Sequence, residues 1–449
     1  MQLPCACKPA FIVAGLAFLK PELTPIQFQN LTMVATALIL GSKFSLTQIS
    51  LMWLREKSVS TLSEFLSDGK FSTIEMQRLH LLNMRDTYNV ESGYFLVDDT
   101  MKHHTKFCKW IHGAQLLFDH ALGTNLKATC IVFLYYSDGG LIKFPINHRI
   151  FYQEESSMAW RRRKKIEHKT KNELALEMLQ WALDNGFPGC MVLADAWFGV
   201  DPFIKGLRRL KLNYIIEIKS SFKVRVPCKE PKLTATGRLS KNQYDLVKIT
   251  EHFKSIHESR KCGFAAKEEN GKGEKVLYHT KIANLRLNSI SGKHRVVESH
   301  DPARKTTKYL LTDQLVWEAT KIISTYTYRW AIEEFFRNAK QLTDMEGATL
   351  RSEQGVTISL CLVSWIDSLL HLENWKRSAA GELTKEPLTV PSMVRRTQYE
   401  NLEAFLKKID EDKDFVERWI AVEKKKLNRK RKSRSELVDL DESRLEEAA

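Results

Sequence analysis

Two apolar segments of this 449-residue chain end on aspartates, and they constrain its fold more than any other feature. Residues 93–100 read GYFLVDDT, and residues 190–199 read CMVLADAWFG. An amphipathic helix over residues 172–187 is predicted between these two strands. Parallel strands that lie side by side end at the same edge of a sheet, where α/β proteins bind their ligands. If the two strands are neighbours, we expect Asp98 and Asp195 to meet at that edge.

The flanking segments extend the same alternation of strands and helices. Residues 127–152 read as a hairpin, because two β-rich runs flank Asp138, Gly139 and Gly140. A helix over residues 201–211 and the strand NYIIEIKS follow the second aspartate strand. The resulting order, β-β-β-α-β-α-β, predicts an α/β protein.

A second feature is a set of four polar residues in the stretch 320–345: Tyr326, Arg329, Glu333 and Lys340. At about 100° per residue, the four fall within roughly 60° of one helix face. They would form a line of hydroxyl, guanidinium, carboxylate and ammonium groups. An ordinary solvated helix face with an Arg–Glu pair shows the same pattern, so the set alone does not decide between structure and function.

The aspartate strands and the polar helix could together form one acidic site. Such a helix could bring Glu333 to the edge where Asp98 and Asp195 lie. Three carboxylates at one point repel one another unless a cation neutralises them, and hard oxygen donors suit two Mg²⁺ ions. Singly, each aspartate also fits a turn at a strand end or a helix N-cap. The joint occurrence therefore favours a metal-dependent active site.

The charge balance indicates a polyanionic partner. Lys and Arg number 69 against 54 Asp and Glu, which gives a net charge of +15 and favours nucleic acid. Arg161, Arg162 and Arg163 form one basic segment, and residues 424–434 form another, which reads as a solvated tail or a DNA-backbone contact. The apolar stretches read as too short or too interrupted to span a bilayer. Eight scattered cysteines suit a reducing cytosol.

FLVDDT, VLADAWFG and the spacing Tyr326-x₂-Arg329-x₃-Glu333-x₆-Lys340 resemble the three catalytic blocks of DDE transposases of the bacterial insertion-sequence type. Within that family, the last block resembles the group with a Y-R-E-K signature. The resemblance covers roughly residues 93–345. It implies an RNase H-like fold, with a mixed sheet flanked by helices, a β-rich insertion and a helical N-terminal domain.

The same resemblance implies roles for individual residues. Asp98, Asp195 and Glu333 match the carboxylates that bind two Mg²⁺ ions, or Mn²⁺, although Asp99 aligns almost as well as Asp98. Tyr326, Arg329 and Lys340 match residues that contact phosphates at the transposon end.

The implied function is cut-and-paste DNA transposition, with cleavage at transposon ends and strand transfer into target DNA. The active complex is expected to be a homodimer on DNA, in the bacterial cytoplasm at the nucleoid, without a membrane partner. Two other functions fit the same residues: a non-catalytic DNA-binding protein derived from a transposase, and a structure-specific RNase H-like nuclease. The route through or without a DNA hairpin stays open.

The sequence also predicts a division of the chain into five parts. Residues 1–90 form a helical region that either binds DNA ends or caps the next domain. Residues 91–221 and 307–375 form the two halves of the catalytic core, and residues 222–306 form the β-rich insertion between them. Residues 376–449 form a helical C-terminal region with the basic tail.

Overall fold

A computed structural model describes most of the chain. The described residues are 3–105, 110–119, 122–154, 166–240, 242–256, 260–267, 273–381 and 389–427. Arg161, Arg162, Arg163 and most of the basic tail lie outside the described residues.

The described α-helices fall into an N-terminal group, a central group and a C-terminal group. Their bounds are α1 Ala10–Gly15, α2 Pro25–Ile39, α3 Leu46–Met52, α4 Val59–Asp68, α5 Thr73–Tyr88, α6 Lys171–Asp184, α7 Asp201–Arg209, α8 Ile249–Ser255, α9 Ala319–Thr327, α10 Trp330–Gln341, α11 Glu353–Ala379, α12 Val390–Glu411 and α13 Lys413–Leu427. Short 3₁₀ turns span Ala17–Glu22 and Met345–Gly347.

The described strands lie between α5 and α9. Their bounds are β1 Tyr94–His103, β2 Gln115–Asp119, β3 Thr124–Ser137, β4 Lys143–Phe151, β5 Met191–Ala194, β6 Tyr214–Ile218, β7 Lys223–Pro227, β8 Tyr244–Lys248, β9 Arg260–Lys267, β10 Gly273–Leu285, β11 His294–Asp301 and β12 Thr306–Thr312.

Ten of these strands form one mixed sheet, in the order β2-β3-β1-β5-β6-β12-β11-β10-β9, with β4 also paired to β3. The central pairs β1–β5 and β5–β6 are parallel, and the flanking pairs are antiparallel. The predicted hairpin is present as β3 and β4, and the two aspartate strands are neighbours. The α/β class expected from the sequence is therefore observed, and the condition for Asp98 and Asp195 to meet, that their strands be neighbours, holds.

Strand β1 differs from its prediction at its carboxyl end. The sequence indicated that it stops at Asp98, Asp99 and Thr100, but β1 continues to His103. It continues because β3 pairs with it along its whole length, from Tyr94 opposite Ser137 onwards. Asp98 and Asp99 consequently lie within a strand, and their side chains point to opposite faces of the sheet.

The segment predicted as a β-rich insertion contains β7 to β11. Strands β9, β10 and β11 extend the main sheet beyond β12, and β7 and β8 form a separate two-stranded sheet. Strand β12 pairs with β6, so the chain returns to the central sheet at residues 309–312 as expected. Three of the ten strands of the main sheet therefore come from this segment.

Both faces of the central sheet are covered by helices. Phe95 and Val97 of β1 belong to an apolar cluster that includes α6 and α7. Leu96, between them, belongs to a second cluster that includes α9, α10 and part of α11. This alternation places the side chain of Asp98 on the α9–α10 face and that of Asp99 on the α6 face.

The N-terminal helices share a third apolar cluster with α11 and α12. It joins residues from Cys5 to Met76 with residues from Ala348 to Val394, and Trp365 of α11 is 1% exposed within it. Helix α11 is long and apolar enough to cross a membrane, which corrects the estimate made from the sequence. In this structure 89% of its apolar window is buried, as in the core helix of a soluble protein.

Candidate active site

Asp98 and Asp195 each directly follow the last residue of the parallel pairing between β1 and β5. Val97 of β1 pairs with Ala194 of β5, so the next residue on each strand is one of the two aspartates. The main-chain N–H of Trp197 donates a hydrogen bond to Asp195 Oδ1 over 3.0 Å, and this bond orients the carboxylate. The pairing of the two strands therefore places Asp98 and Asp195 side by side at this edge of the sheet.

Arg329 joins Asp98 to Glu333. Its Nη1 lies 2.9 Å from Asp98 Oδ2, and its Nη2 pairs with Glu333 Oε1. The arginine side chain is 10% exposed, and those of Asp98 and Glu333 are 16% and 30% exposed. A buried guanidinium with two carboxylate partners fixes both acids relative to the sheet.

The electrostatics of the site follow from burial and from the crowding of acids. Burial raises the pKa of Asp98 to about 7, and the charge of Asp195 adds to that shift while Arg329 opposes it. Burial also raises the pKa of Asp195, against the Trp197 hydrogen bond and Arg329. Burial alone would lower the pKa of Arg329, but Tyr326, Asp98, Glu333 and Asp195 raise it, so it stays charged.

The polar residues predicted to follow one helix face lie on two helices. Helix α9 ends at Thr327 and α10 begins at Trp330. Between them, hydrogen bonds to the third preceding residue, such as Arg329 N–H to Tyr326 C=O, tighten the turn. The single helix predicted over residues 326–340 is therefore interrupted at Tyr328 and Arg329, whose backbone angles stay right-handed helical.

At this interruption the Tyr328 side chain makes a long-range contact. Its ring lies 4.9 Å from that of Tyr94, measured between centroids. The same ring covers Gly139, where an added Cβ would come within 3.0 Å of it and where φ is +84°. The absence of a side chain at Gly139 thus leaves room for the Tyr328 ring.

Tyr326 is anchored to the ends of two strands. Its hydroxyl lies 3.2 Å from the carbonyl oxygen of Ala194 and 3.3 Å from Glu217 Oε2, and it can donate to either oxygen. The residue is 8% exposed, and burial raises its pKa well above the usual value. In this arrangement Tyr326 holds α9 against β5, and its ring lies 5.7 Å from the Arg329 guanidinium.

Lys340 lies apart from the three carboxylates. Its Nζ is 3.4 Å from Glu346 Oε1, and His103 Nδ1 lies 3.6 Å from the same oxygen. The structure brings Asp98, Arg329 and Glu333 together. Lys340 lies about two helical turns beyond Glu333 on α10.

Asp99 belongs to a different environment from Asp98. Its Oδ2 lies 2.8 Å from Lys171 Nζ at the start of α6, and Cys130 Sγ is 3.4 Å from the same oxygen. Helix α6 begins there because Thr170 and Glu173 form a capping box. The sequence left Asp98 and Asp99 as alternatives for the first metal-binding carboxylate. Of the two, Asp98 is the one that shares the Arg329 guanidinium with Glu333.

The sequence did not point to two residues of the site, Glu217 and Trp197. Glu217 accepts a hydrogen bond from Lys308 Nζ over 2.9 Å and lies beside Tyr326. A carboxylate inside the apolar strand YIIEI was the signal that could have identified it. Trp197 follows Asp195 and is 46% exposed, which is unusual for a tryptophan next to a buried strand.

The donor chemistry of the three carboxylates fits a hard divalent cation. Within the described ranges, no three or more His, Cys, Asp or Glu side chains are grouped so that they could hold a metal ion. The positive charge at this point comes instead from Arg329, which lies between Asp98 and Glu333.

Comparison with known families identifies the chain. Residues 27–268, more than half of the chain, match the family model of the DDE superfamily endonucleases. The match includes Asp98 and Asp195 and ends before Glu333. Endonucleases of this family act on DNA and generally use divalent metals. No curated protein matches the chain.

Proposed function

Because the chain belongs to the DDE superfamily endonucleases, we propose that it is a DNA transposase of the insertion-sequence type, in the Y-R-E-K group. It cleaves DNA at the ends of a mobile element and joins the freed ends to target DNA. The observation that most supports this function is the Arg329 guanidinium shared by Asp98 and Glu333, with Asp195 at the end of the neighbouring parallel strand.

Asp98, Asp195 and Glu333 would hold the metal, Mg²⁺ or Mn²⁺, in a pair as in other two-metal phosphoryl-transfer sites. When bound, the metal lowers the pKa of a water molecule and stabilises the charge that develops on the phosphate oxygens. The family's general use of divalent metals and the all-oxygen donor set support this assignment.

The residues of the chain contribute orientation and charge. The Trp197 main-chain N–H orients Asp195, and Tyr326 holds α9 against the end of β5. Arg329 is the nearest cation to Asp98 and Glu333 in the described structure, so it is suited to contact the scissile phosphate when that group lies between them. When the Arg329 guanidinium binds a phosphate in place of the two carboxylates, DNA binding would release Asp98 and Glu333 from their ion pairs with it.

The remaining parts of the proposal concern partners. DNA, as transposon end and as target, is supported by the net charge of +15 and by the family. Arg161, Arg162, Arg163 and Lys340 are proposed contacts to the DNA backbone. A homodimer is proposed because two ends are joined in one event, with the protein at the nucleoid of a bacterial cytoplasm.

The test uses purified full-length protein, end-labelled DNA from the borders of the reading frame, and Mg²⁺. We expect strand cleavage and joining by the wild type, and neither by Asp195→Asn or Glu333→Gln, while DNA binding persists. Cleavage without joining would identify a nuclease, and binding without any metal-dependent cleavage would identify a non-catalytic DNA-binding protein. Cleavage that survives in both variants would overturn the assignment of the site.

A further inference from the structure

The two cations of the polar stretch that are proposed to contact DNA phosphate, Arg329 and Lys340, are each paired with a carboxylate. Arg329 pairs with Asp98 and Glu333, which are also proposed metal ligands. Lys340 Nζ lies 3.4 Å from Oε1 of Glu346. Glu346 is not part of the proposed metal site, so metal binding does not account for a carboxylate beside this lysine.

The main chain that carries Glu346 is held on both sides. Glu346 lies on the 3₁₀ turn that follows α10. Before the turn, Asp344 Oδ2 accepts a hydrogen bond from the main-chain N–H of Phe44 over 2.8 Å. After the turn, the carbonyl oxygen of Ala348 accepts one from Lys102 Nζ over 2.6 Å. The position of the Glu346 carboxylate is therefore fixed by contacts that do not involve Lys340.

Lys340 is the flexible partner of this pair. It reaches Glu346 from the last turn of α10 through the four methylene groups of its side chain. The two side chains are 32% and 38% exposed, so the pair is open to solvent and to a ligand. Exposed ion pairs of this kind are weak. When the pair opens, the ammonium moves away and the carboxylate stays.

A second basic side chain borders the same carboxylate. His103 Nδ1 lies 3.6 Å from Glu346 Oε1, and His103 Nε2 lies 2.8 Å from Asp119 Oδ2. The contact with Asp119 on β2 keeps the imidazole in place when Lys340 departs. Glu346 then retains a neighbour that compensates its charge whenever the ring is protonated.

We propose that Glu346 holds the Lys340 ammonium in place of a DNA phosphate and gives it up when DNA binds, so that it is an internal competitor for this phosphate contact. Carboxylate and phosphate oxygens attract the same ammonium, and the charge of Glu346 also repels a phosphate that approaches Lys340. Glu346 acts through Lys340 and is thus a positioning residue. The inference rests on the proposed function, because it takes the DNA backbone as the ligand of Lys340.

The test measures binding of the full-length protein to a fluorescein-labelled duplex from the borders of the reading frame, with EDTA so that no cleavage occurs. At low salt, Glu346→Gln should bind this duplex about two- to fivefold more tightly than the wild type, the gain that corresponds to one exposed ion pair. The gain should shrink as added salt screens the pair. Fluorescence anisotropy gives the dissociation constants, and a loss of folding would not produce tighter binding.

Glu334→Gln is the matched control for the loss of one negative charge. Glu334 lies on α10, as Lys340 does, and its Oε2 is 3.4 Å from Lys143 Nζ. Its side chain is 37% exposed, close to the value for Glu346. Lys143 is not a proposed DNA contact, so Glu334→Gln should keep an affinity near that of the wild type.

Lys340→Gln tests whether the gain depends on the ammonium. This variant should bind more weakly than the wild type, and the slope of log affinity against log salt should fall by about 0.9, as for the loss of one phosphate contact. When Glu346→Gln is added to Lys340→Gln, affinity should not rise further, because the competing carboxylate has no ammonium left to hold.

The outcomes distinguish this inference from the proposed function. Equal affinity of wild type and Glu346→Gln would overturn the inference, and so would an equal gain in Glu334→Gln. A gain from Glu346→Gln that persists in the Lys340→Gln background would overturn it as well. These three results leave metal-dependent cleavage, and with it the proposed function, standing. A wild type that does not bind the duplex would overturn the proposed function.

Discussion

The guanidinium of Arg329 lies 2.9 Å from the carboxylate of Asp98, although the two residues are 231 positions apart in the chain. The same guanidinium also pairs with Glu333. One buried cation therefore compensates two acids of the proposed metal site.

Replacing Arg329 by alanine should destabilise the metal-free protein. Removing one partner of a buried ion pair leaves the other charges uncompensated and typically costs about 3–5 kcal/mol. Mn²⁺ should recover part of this loss in thermal unfolding, because a divalent ion would replace the missing charge. Arg377→Ala is the control, since Arg377 pairs with Glu373 and Glu400 far from the site. Equal recovery of both variants by Mn²⁺ would contradict the proposal.

Asp98 and Asp99 should differ sharply in mutational effect. Asp98→Asn removes the carboxylate that shares Arg329 with Glu333, and metal-dependent cleavage should fall by about 10²–10³-fold. Asp99→Asn breaks the pair with Lys171 and should retain most of the cleavage rate. Single-turnover cleavage at saturating protein is the measurement. A larger loss in Asp99→Asn than in Asp98→Asn would reverse the assignment of the first carboxylate.

Gly199 should not tolerate a side chain. A Cβ at this position would lie 2.7 Å from the carbonyl oxygen of Glu217 and 3.1 Å from Ile218 Cγ2. Gly199→Ala should therefore push the loop after Asp195 away from β6 and lower the free energy of unfolding by about 1–3 kcal/mol. Gly189→Ala is the matched control, because its nearest atom would be 3.5 Å away. Denaturant unfolding compares the two, and equal stability would refute the close approach.

Asp367 should give the protein a specific pH dependence. Burial raises its pKa to about 7, and the hydroxyl of Tyr135 donates to its Oδ2 over 3.0 Å. Because the unfolded chain loses this proton near the ordinary aspartate pKa, the protonated group stabilises the fold at low pH. Between about pH 4 and 7 this contribution is lost as pH rises, by up to roughly 4 kcal/mol.

The variant Asp367→Asn stays neutral and should lack that loss. Denaturant unfolding at several pH values would show the wild type losing stability relative to the variant as pH rises towards 7. Asp86→Asn, which alters an exposed carboxylate, should follow the wild type. Parallel pH profiles for wild type and Asp367→Asn would show that the buried acid does not titrate in this way.

The central sheet and the Asp98–Asp195 pair were predictable because they depend on local patterns. Apolar runs that end on aspartate identify the two strands, and once these are neighbours in the sheet the two acids fall next to each other. The extent of β1 was not predictable in the same way, since it is set by pairing with β3.

The interruption between α9 and α10 was not visible in the sequence, because residues 326–340 are compatible with one helix. The contact of Tyr328 with Tyr94 and Gly139 joins residues far apart in the chain, so local patterns could not reveal it. The same holds for the partner of Lys340, because Glu346 lies beyond the end of α10.

The apolar cluster shared by the N-terminal helices and α11 limits how this protein could be re-engineered. Exchanging residues 1–90 for the corresponding region of a relative would expose the face of α11 on which Trp365 is buried, unless that face were exchanged as well. A chimaera that exchanges the N-terminal helices would therefore need both segments from the same parent.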